Sequence, residues 1–162
     1  MSAVAKMQVQ INDRELVFTR IFDAPLQLVW DAWTKEEHLL RWWGPHGFTN
    51  KDCSVDLKTG GSLCITMMNS GEDHPCYFNY HEIVPLKKFV WTGKADASNY
   101  PGSDPTPPAS SITVLFEDIE NKTRVTMILT YGSNEERDKD LTRGDTEGWA
   151  EMFEKLDDLL KG

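Results

Sequence analysis

The feature that most restricts this chain lies at its C-terminal end. Gly148, Trp149, Met152, Phe153, Leu156, Leu159 and Leu160 recur at spacings of three and four. That period belongs to a helix with one apolar face, and it puts Glu151, Glu154, Lys155, Asp157 and Asp158 outside. Such a stripe has to be buried against another layer. Glycine inside a helix costs about 1 kcal/mol, so Gly148 on the apolar face implies that the backbone lies close to a neighbour. Ser133-Asn-Glu-Glu136 has the form of a capping box upstream. One helix over 134–161 and two with a break near Gly144 are both compatible with this pattern.

The layer that receives the stripe is legible between Thr49 and Tyr131, where about six strands follow one another. They are Asp52–Leu57, Ser62–Met68, Cys76–Val84, Phe89–Ala95, Ile112–Glu117 and Arg124–Tyr131. Leu63, Ile65 and Met67 alternate with Ser62, Cys64 and Thr66, the period of a strand with two unlike faces. Ile112, Val114 and Phe116 share one face, as do Val125, Met127 and Leu129. Short turns at Gly60-Gly61, Ser70-Gly-Glu-Asp73 and Asn121-Lys-Thr predict an antiparallel meander. Residues 97–110 hold Pro101, Pro105, Pro107 and Pro108 and read as a long loop, a candidate lid.

Ahead of the sheet, residues 1–14 read as a tail or a short extra piece of strand, and Glu15–Phe22 as a strand. Asp23 is the expected cap of a helix that carries Leu26, Val29, Trp30 and Trp33 on one face. Thr34-Lys-Glu-Glu37 suggests a second capping box and a short helix from Lys35 to Trp42, ended by Gly44-Pro45. The expected organisation is one domain over 15–162.

Charge narrows the partners. With 26 acidic against 17 basic residues the net charge is −9, which argues against nucleic acid and against anionic membrane. No stretch approaches the ~20 apolar residues of a bilayer span, and the start has no signal-peptide pattern. Three cysteines, without a Cys-x-x-Cys pair, read as free, buried thiols in a cytoplasmic protein.

The order strand, two helices, six antiparallel strands and long helix resembles the helix-grip plan of START-like proteins. More specifically, the chain is similar to the activator of heat-shock-protein-90 ATPase homologue family. The residues that carry this are Arg20-Ile-Phe-Asp-Ala-Pro25, Val29-Trp-Asp-Ala-Trp-Thr34 and Arg41-Trp-Trp-Gly-Pro45. With them go Gly60-Gly61, Glu82-Ile-Val-Pro85 and Gly148-Trp149, and the match spans about 15–161. Leu63 stands where the family often has an aromatic residue, and the loop 97–110 is longer than the family's. The resemblance implies an α+β fold with a curved antiparallel sheet around the C-terminal helix and an apolar pocket between them.

The chain's six Trp, seven Phe, four Tyr and six Met suit aromatic pocket walls, or a core that they fill completely. The expected walls are Trp33, Trp43 and Phe48 at one end. Leu63, Ile65, Met67, Phe78, Tyr80, Trp91 and Met127 come from the sheet, and Trp149, Met152 and Phe153 from the helix. A strand bulge would shift Phe78, Tyr80 and Trp91.

The primary expectation is a binding protein for a small apolar or aromatic molecule. A co-chaperone-like interaction domain and a cyclase- or hydrolase-like enzyme using the same pocket are the alternatives. The chaperone reading is lowered by the further N-terminal domain that activators of that kind carry. No cofactor and no metal are expected: His74, Cys76 and His81 lack a common face and a completing carboxylate. His46 reads as a loop residue near the pocket mouth, Glu82 as an outward, paired carboxylate, and Asp31 and Asp56 as surface acids. No nucleophile is assignable, and the oligomeric state is open.

Overall fold

The computed structural model describes residues 7–92 and 110–161. The strands are β1 (Gln8–Asn12), β2 (Glu15–Phe22), β3 (Thr49–Val55), β4 (Ser62–Asn69), β5 (Glu72–Val84), β6 (Lys88–Thr92), β7 (Ser111–Ile119) and β8 (Lys122–Thr130). The helices are α1 (Leu26–Thr34), α2 (Glu36–Trp42), α3 (Asn134–Arg143) and α4 (Asp145–Lys161). The strands form one antiparallel sheet in the order β1-β2-β8-β7-β6-β5-β4-β3. A core of apolar side chains lies between one face of this sheet and α1, α2 and α4. Of the stripe on α4, Met152, Phe153 and Leu156 are buried, as is Ala150 beside them, while Gly148, Trp149, Leu159 and Leu160 are half-buried.

Alternation decides which strand residues face α4. On β2 Leu16, Phe18, Arg20 and Phe22 are buried, and on β8 Thr123, Val125, Met127 and Leu129 lie opposite them. The β3–β4 register shifts between Asn50 and Asp52, and the β5–β6 register between Tyr80 and Glu82. The second bulge lies just beyond Tyr80, so Phe78, Tyr80 and Trp91 keep the inward facing that simple alternation gives them.

Several local expectations need correction. Of the two readings of the segment before Glu15 the strand holds: β1 pairs with β2 at the sheet edge. The first helix starts after Pro25, with no side-chain cap, so Asp23 does not serve as its N-cap. Thr34 caps nothing either: its hydroxyl donates to the Trp30 carbonyl at 2.8 Å, inside α1, and Lys35 occupies the cap position of α2. A hydroxyl that can bond back to the i−4 carbonyl has that alternative to capping.

The Ser133 cap is present, accepting from the Glu136 amide at 3.2 Å, while the Glu136 carboxylate accepts from the amide of Gly132 rather than of Ser133. The C-terminal region is two helices. Gly144 has φ +91°, a left-handed conformation that ends α3 and that glycine adopts without strain. Most of the proposed loop 97–110, and with it the lid, lies outside the described residues. No helix among the described residues is long and apolar enough to cross a membrane.

Candidate functional site

The inner face of β4, β5 and β6 is a wall of large side chains. Leu63 pairs with Phe78, Ile65 with Cys76, and Tyr80 with Trp91 across successive strands. Phe78 and Trp91 are stacked at 4.8 Å, and Trp33 from α1 meets Trp91 at 6.2 Å. Trp43, just past α2, lies against Phe78, Trp91 and Trp149 at 6.1, 5.8 and 5.7 Å. Trp33, Trp43, Leu63, Ile65, Tyr80, Trp91, Met127, Met152 and Phe153 are buried members of one cluster, with Met67, Phe78 and Trp149 half-buried on it. Phe48 is set apart, half-buried with its ring 5.5 Å from that of His74.

This set has two ends of different character. The deep end contains three buried polar atoms that close no full hydrogen bond among the described residues, Trp33 Nε1, Trp91 Nε1 and the Tyr80 hydroxyl, although the Trp91 indole lies near enough to the Tyr80 oxygen to act on it. Trp42 shows the usual arrangement, its Nε1 donating to the Ala32 carbonyl at 2.8 Å. A buried donor left unsatisfied costs roughly 1–3 kcal/mol, so three short of a full bond in one cluster mark it off from an ordinary core. Burial pushes the Tyr80 phenol up to about 12, which keeps it protonated at neutral pH.

The shallow end is bounded by residues 43–48, and α4 holds that loop in place. Lys155 Nζ donates to the carbonyls of Trp43, Gly44 and Phe48 at 3.2, 3.0 and 3.4 Å. Desolvation lowers the Lys155 pKa, the physical signature of an ammonium taken partly out of water. The His46 amide donates to Glu151 Oε1 at 3.0 Å, and its exposed ring lies 3.4 Å from Glu154. Gly44 has φ +94°, and a Cβ there would come within 3.0 Å of the Met67 sulfur. Gly148 faces this loop through Pro45, but a Cβ there would meet Pro45 Cγ at 3.5 Å, ordinary contact rather than an enforced approach.

Four outward assignments on α4 change. Lys155 is turned to the loop, and Asp157 is buried against Arg20 at 3.3 Å. Glu151 and Glu154 are only half-exposed. Trp149, expected inside near the start of the stripe, is half-buried. Arg20 itself was not among the expected site residues. Its signal was present in the sequence: it continues the inward series Leu16, Phe18, Phe22, and only its charge hides it.

The remaining candidates are dispersed. Cys53, Cys64 and Cys76 are half-buried, not fully buried, and desolvation pushes Cys53 up to about 12. Glu82 is exposed and paired with Lys88 at 3.1 Å. Among the described residues no group of three His, Cys, Asp or Glu side chains is placed to hold a metal ion. Three cavities among the described residues lie away from the aromatic cluster; one of about 680 Å³ is at the far end of β2, beside Arg20.

A family model described as Activator of Hsp90 ATPase homolog 1-like protein matches residues 23–161. Among solved structures, a protein of Nitrosomonas europaea is similar at 26% identity and TM-score 0.80, covering 94% of this chain and 97% of its own. A Rhodobacter sphaeroides protein shares the fold at 20% identity and TM-score 0.84, over 96% and 98% of the two chains. A Silicibacter pomeroyi protein titled AHSA1 aligns at 20% identity and TM-score 0.66, over 91% and 97%. Comparison with the curated proteins finds no match.

Proposed function

The chain belongs to the family of Activator of Hsp90 ATPase homolog 1-like proteins, and on its geometry we propose that it binds a small, largely apolar molecule that carries a hydrogen-bond acceptor. The observation behind this reading is the trio of buried donors on Trp33, Trp91 and Tyr80, none of which closes a full hydrogen bond, within an aromatic cluster. Aromatic walls with a few polar groups are what such ligands need, and an acceptor placed among three donors would remove their desolvation penalty. The half-buried Met67, Phe78 and Trp149, with Phe48, give the route in. The rings are in mutual contact, so the ligand enters as Phe78 unstacks from Trp91. Two indoles and a phenol that stays neutral at pH 7 are donors, not bases. That favours binding over acid–base catalysis.

Nile red, uncharged and bearing a carbonyl acceptor, is a suitable probe. It is expected to quench tryptophan fluorescence and to raise the melting temperature, as a ligand selective for the native state must. Met67→Trp, which fills the mouth, is expected to weaken binding at least tenfold while the protein stays folded. Unchanged affinity in that variant would remove the site from this cluster.

A further inference from the structure

We propose that β1 pairs antiparallel with β1 of a second copy of this chain, joining two sheets edge to edge across a two-fold axis. The two edges of the sheet are built differently. β3, at one edge, carries Lys51 and Asp52 beside a register shift, and α2 is tied to it. The Val55 amide donates to Glu36 Oε2 at 2.8 Å, and Asn50 Nδ2 donates to the Leu40 carbonyl at 2.9 Å. Charge, an irregular register and a covering helix are devices that keep an edge from pairing. β1, at the other edge, reads Gln8-Val-Gln-Ile-Asn12, without charge or proline, and its register with β2 is unbroken. Its Val9 and Ile11 are 45% and 54% exposed.

Backbone geometry decides which groups are free at that edge. The Tyr131 amide donates to the Arg14 carbonyl at 2.8 Å, so Arg14, and by alternation Leu16 and Phe18, turn their backbone groups to β8. Glu15, Val17 and Thr19 then turn theirs to β1, where they lie opposite Asn12, Gln10 and Gln8. The amides and carbonyls of Val9 and Ile11 therefore point away from β2, to the open edge. A second copy is the occupant because the segment is complementary to itself. About an axis through Gln10, Val9 lies opposite the second copy's Ile11, and Gln8 opposite its Asn12. That register brings together the residues whose backbone groups are free, each pair exchanging both hydrogen bonds. Val9 and Ile11 lie opposite Phe18 and Leu16, on the inner face of the sheet. Their β-branched side chains from the two copies thus pair across the axis and cover one another. The side chains on the outer face at the axis, Gln8, Gln10 and Asn12, are neutral amides. On a chain of net charge −9, an uncharged edge is where two copies approach against the least repulsion.

The test is sedimentation velocity of the full chain from about 10 μM to about 1 mM, the range in which a small interface associates. A concentration-dependent dimer is expected, and the Val9 and Ile11 amides are expected to gain at least fivefold protection from solvent exchange across that range. Gln10→Lys changes an exposed side chain and sets two like charges face to face at the axis. It is expected to weaken the dimer at least tenfold and to leave the melting temperature of the dilute protein unchanged. Gln10→Glu is expected to do the same. An equimolar mixture of the two variants is expected to associate again, because opposite charges then meet at the axis. Lys51→Glu, at the other edge, is expected to stay within twofold of the parent. A parent that remains monomeric at about 1 mM, a dimer that Gln10→Lys leaves intact, or a mixture that associates no better than its components would overturn the pairing.

Discussion

The two ends of the inner sheet face are closed to different degrees. Where β2, β7 and β8 meet α1 and α4, the side chains Phe18, Val114, Met127 and Phe153 are completely buried. Where β4 and β5 meet the loop 43–48, Met67, Phe78 and Trp149 remain partly open. The cause is the length of cover. α4 spans the first region with its stripe, and Phe153 reaches Phe22 and Trp33 at 5.8 and 6.0 Å. Its N-terminal half reaches the second region through Trp149 against Trp43 and through the polar contacts of Glu151 and Lys155 with the loop, not through the apolar centre of the stripe. The first region is closed core; the second joins a buried wall to a partly open edge, which is where the proposed ligand would enter.

The largest test of this contrast compares two tryptophans of one stripe-and-wall system. Trp33→Ala is expected to lower stability by about 3–5 kcal/mol, the usual loss for a fully buried aromatic side chain. Trp149→Ala is expected to lose less, roughly 1–2 kcal/mol, because part of its surface is already in water. Urea midpoints measure both. Equal losses would mean that the two ends are equally closed.

Period-two alternation and the helical stripe made most of the fold legible. They place Leu63, Ile65, Phe78, Trp91 and Met127 on one face without knowledge of the turns. What the sequence hid falls under two physical causes. The caps failed at Asp23 and Thr34 because a cap depends on where the chain turns, and Pro25 and the Trp30 carbonyl decided that locally. The charged inward residues Arg20, Lys155 and Asp157 were hidden because polarity is read as exposure. A buried charge becomes visible only once its partner across the fold is in place.

A second test uses pH at the deep end. Tyr80 has a folded pKa near 12 against an ordinary value of 10. Between those values the unfolded chain has released a proton that the folded chain still holds. Stability is therefore unaffected by this group below pH 10 and falls as pH rises, by about 1.4 kcal/mol per pH unit. Tyr80→Phe is expected to remove this component of the slope in urea titrations from pH 9 to 12. At pH 7 the same variant is expected to be as stable as the parent or up to about 1 kcal/mol more stable, since it deletes a buried hydroxyl that closes no full hydrogen bond. A loss above 2 kcal/mol at pH 7 would show that the hydroxyl is satisfied and would weaken the case for a ligand acceptor.

The smallest expected effect separates entrance from core most cleanly. Lys155 holds residues 43–48 through three carbonyls, yet none of those bonds reaches β2, β7 or β8. Lys155→Met keeps the apolar stem and removes the ammonium, which burial already disfavours. The net loss is expected to be about 1 kcal/mol, because regained solvation offsets most of the three bonds. That energy should appear as local opening. The His46 and Phe48 amides, bonded to Glu151 and to the Pro45 carbonyl, are expected to exchange with solvent about fivefold faster. The amides of Phe18 and Met127 are expected to change only in step with global stability. If all four accelerated equally, the loop would unfold with the core, and entry by its local opening would be excluded.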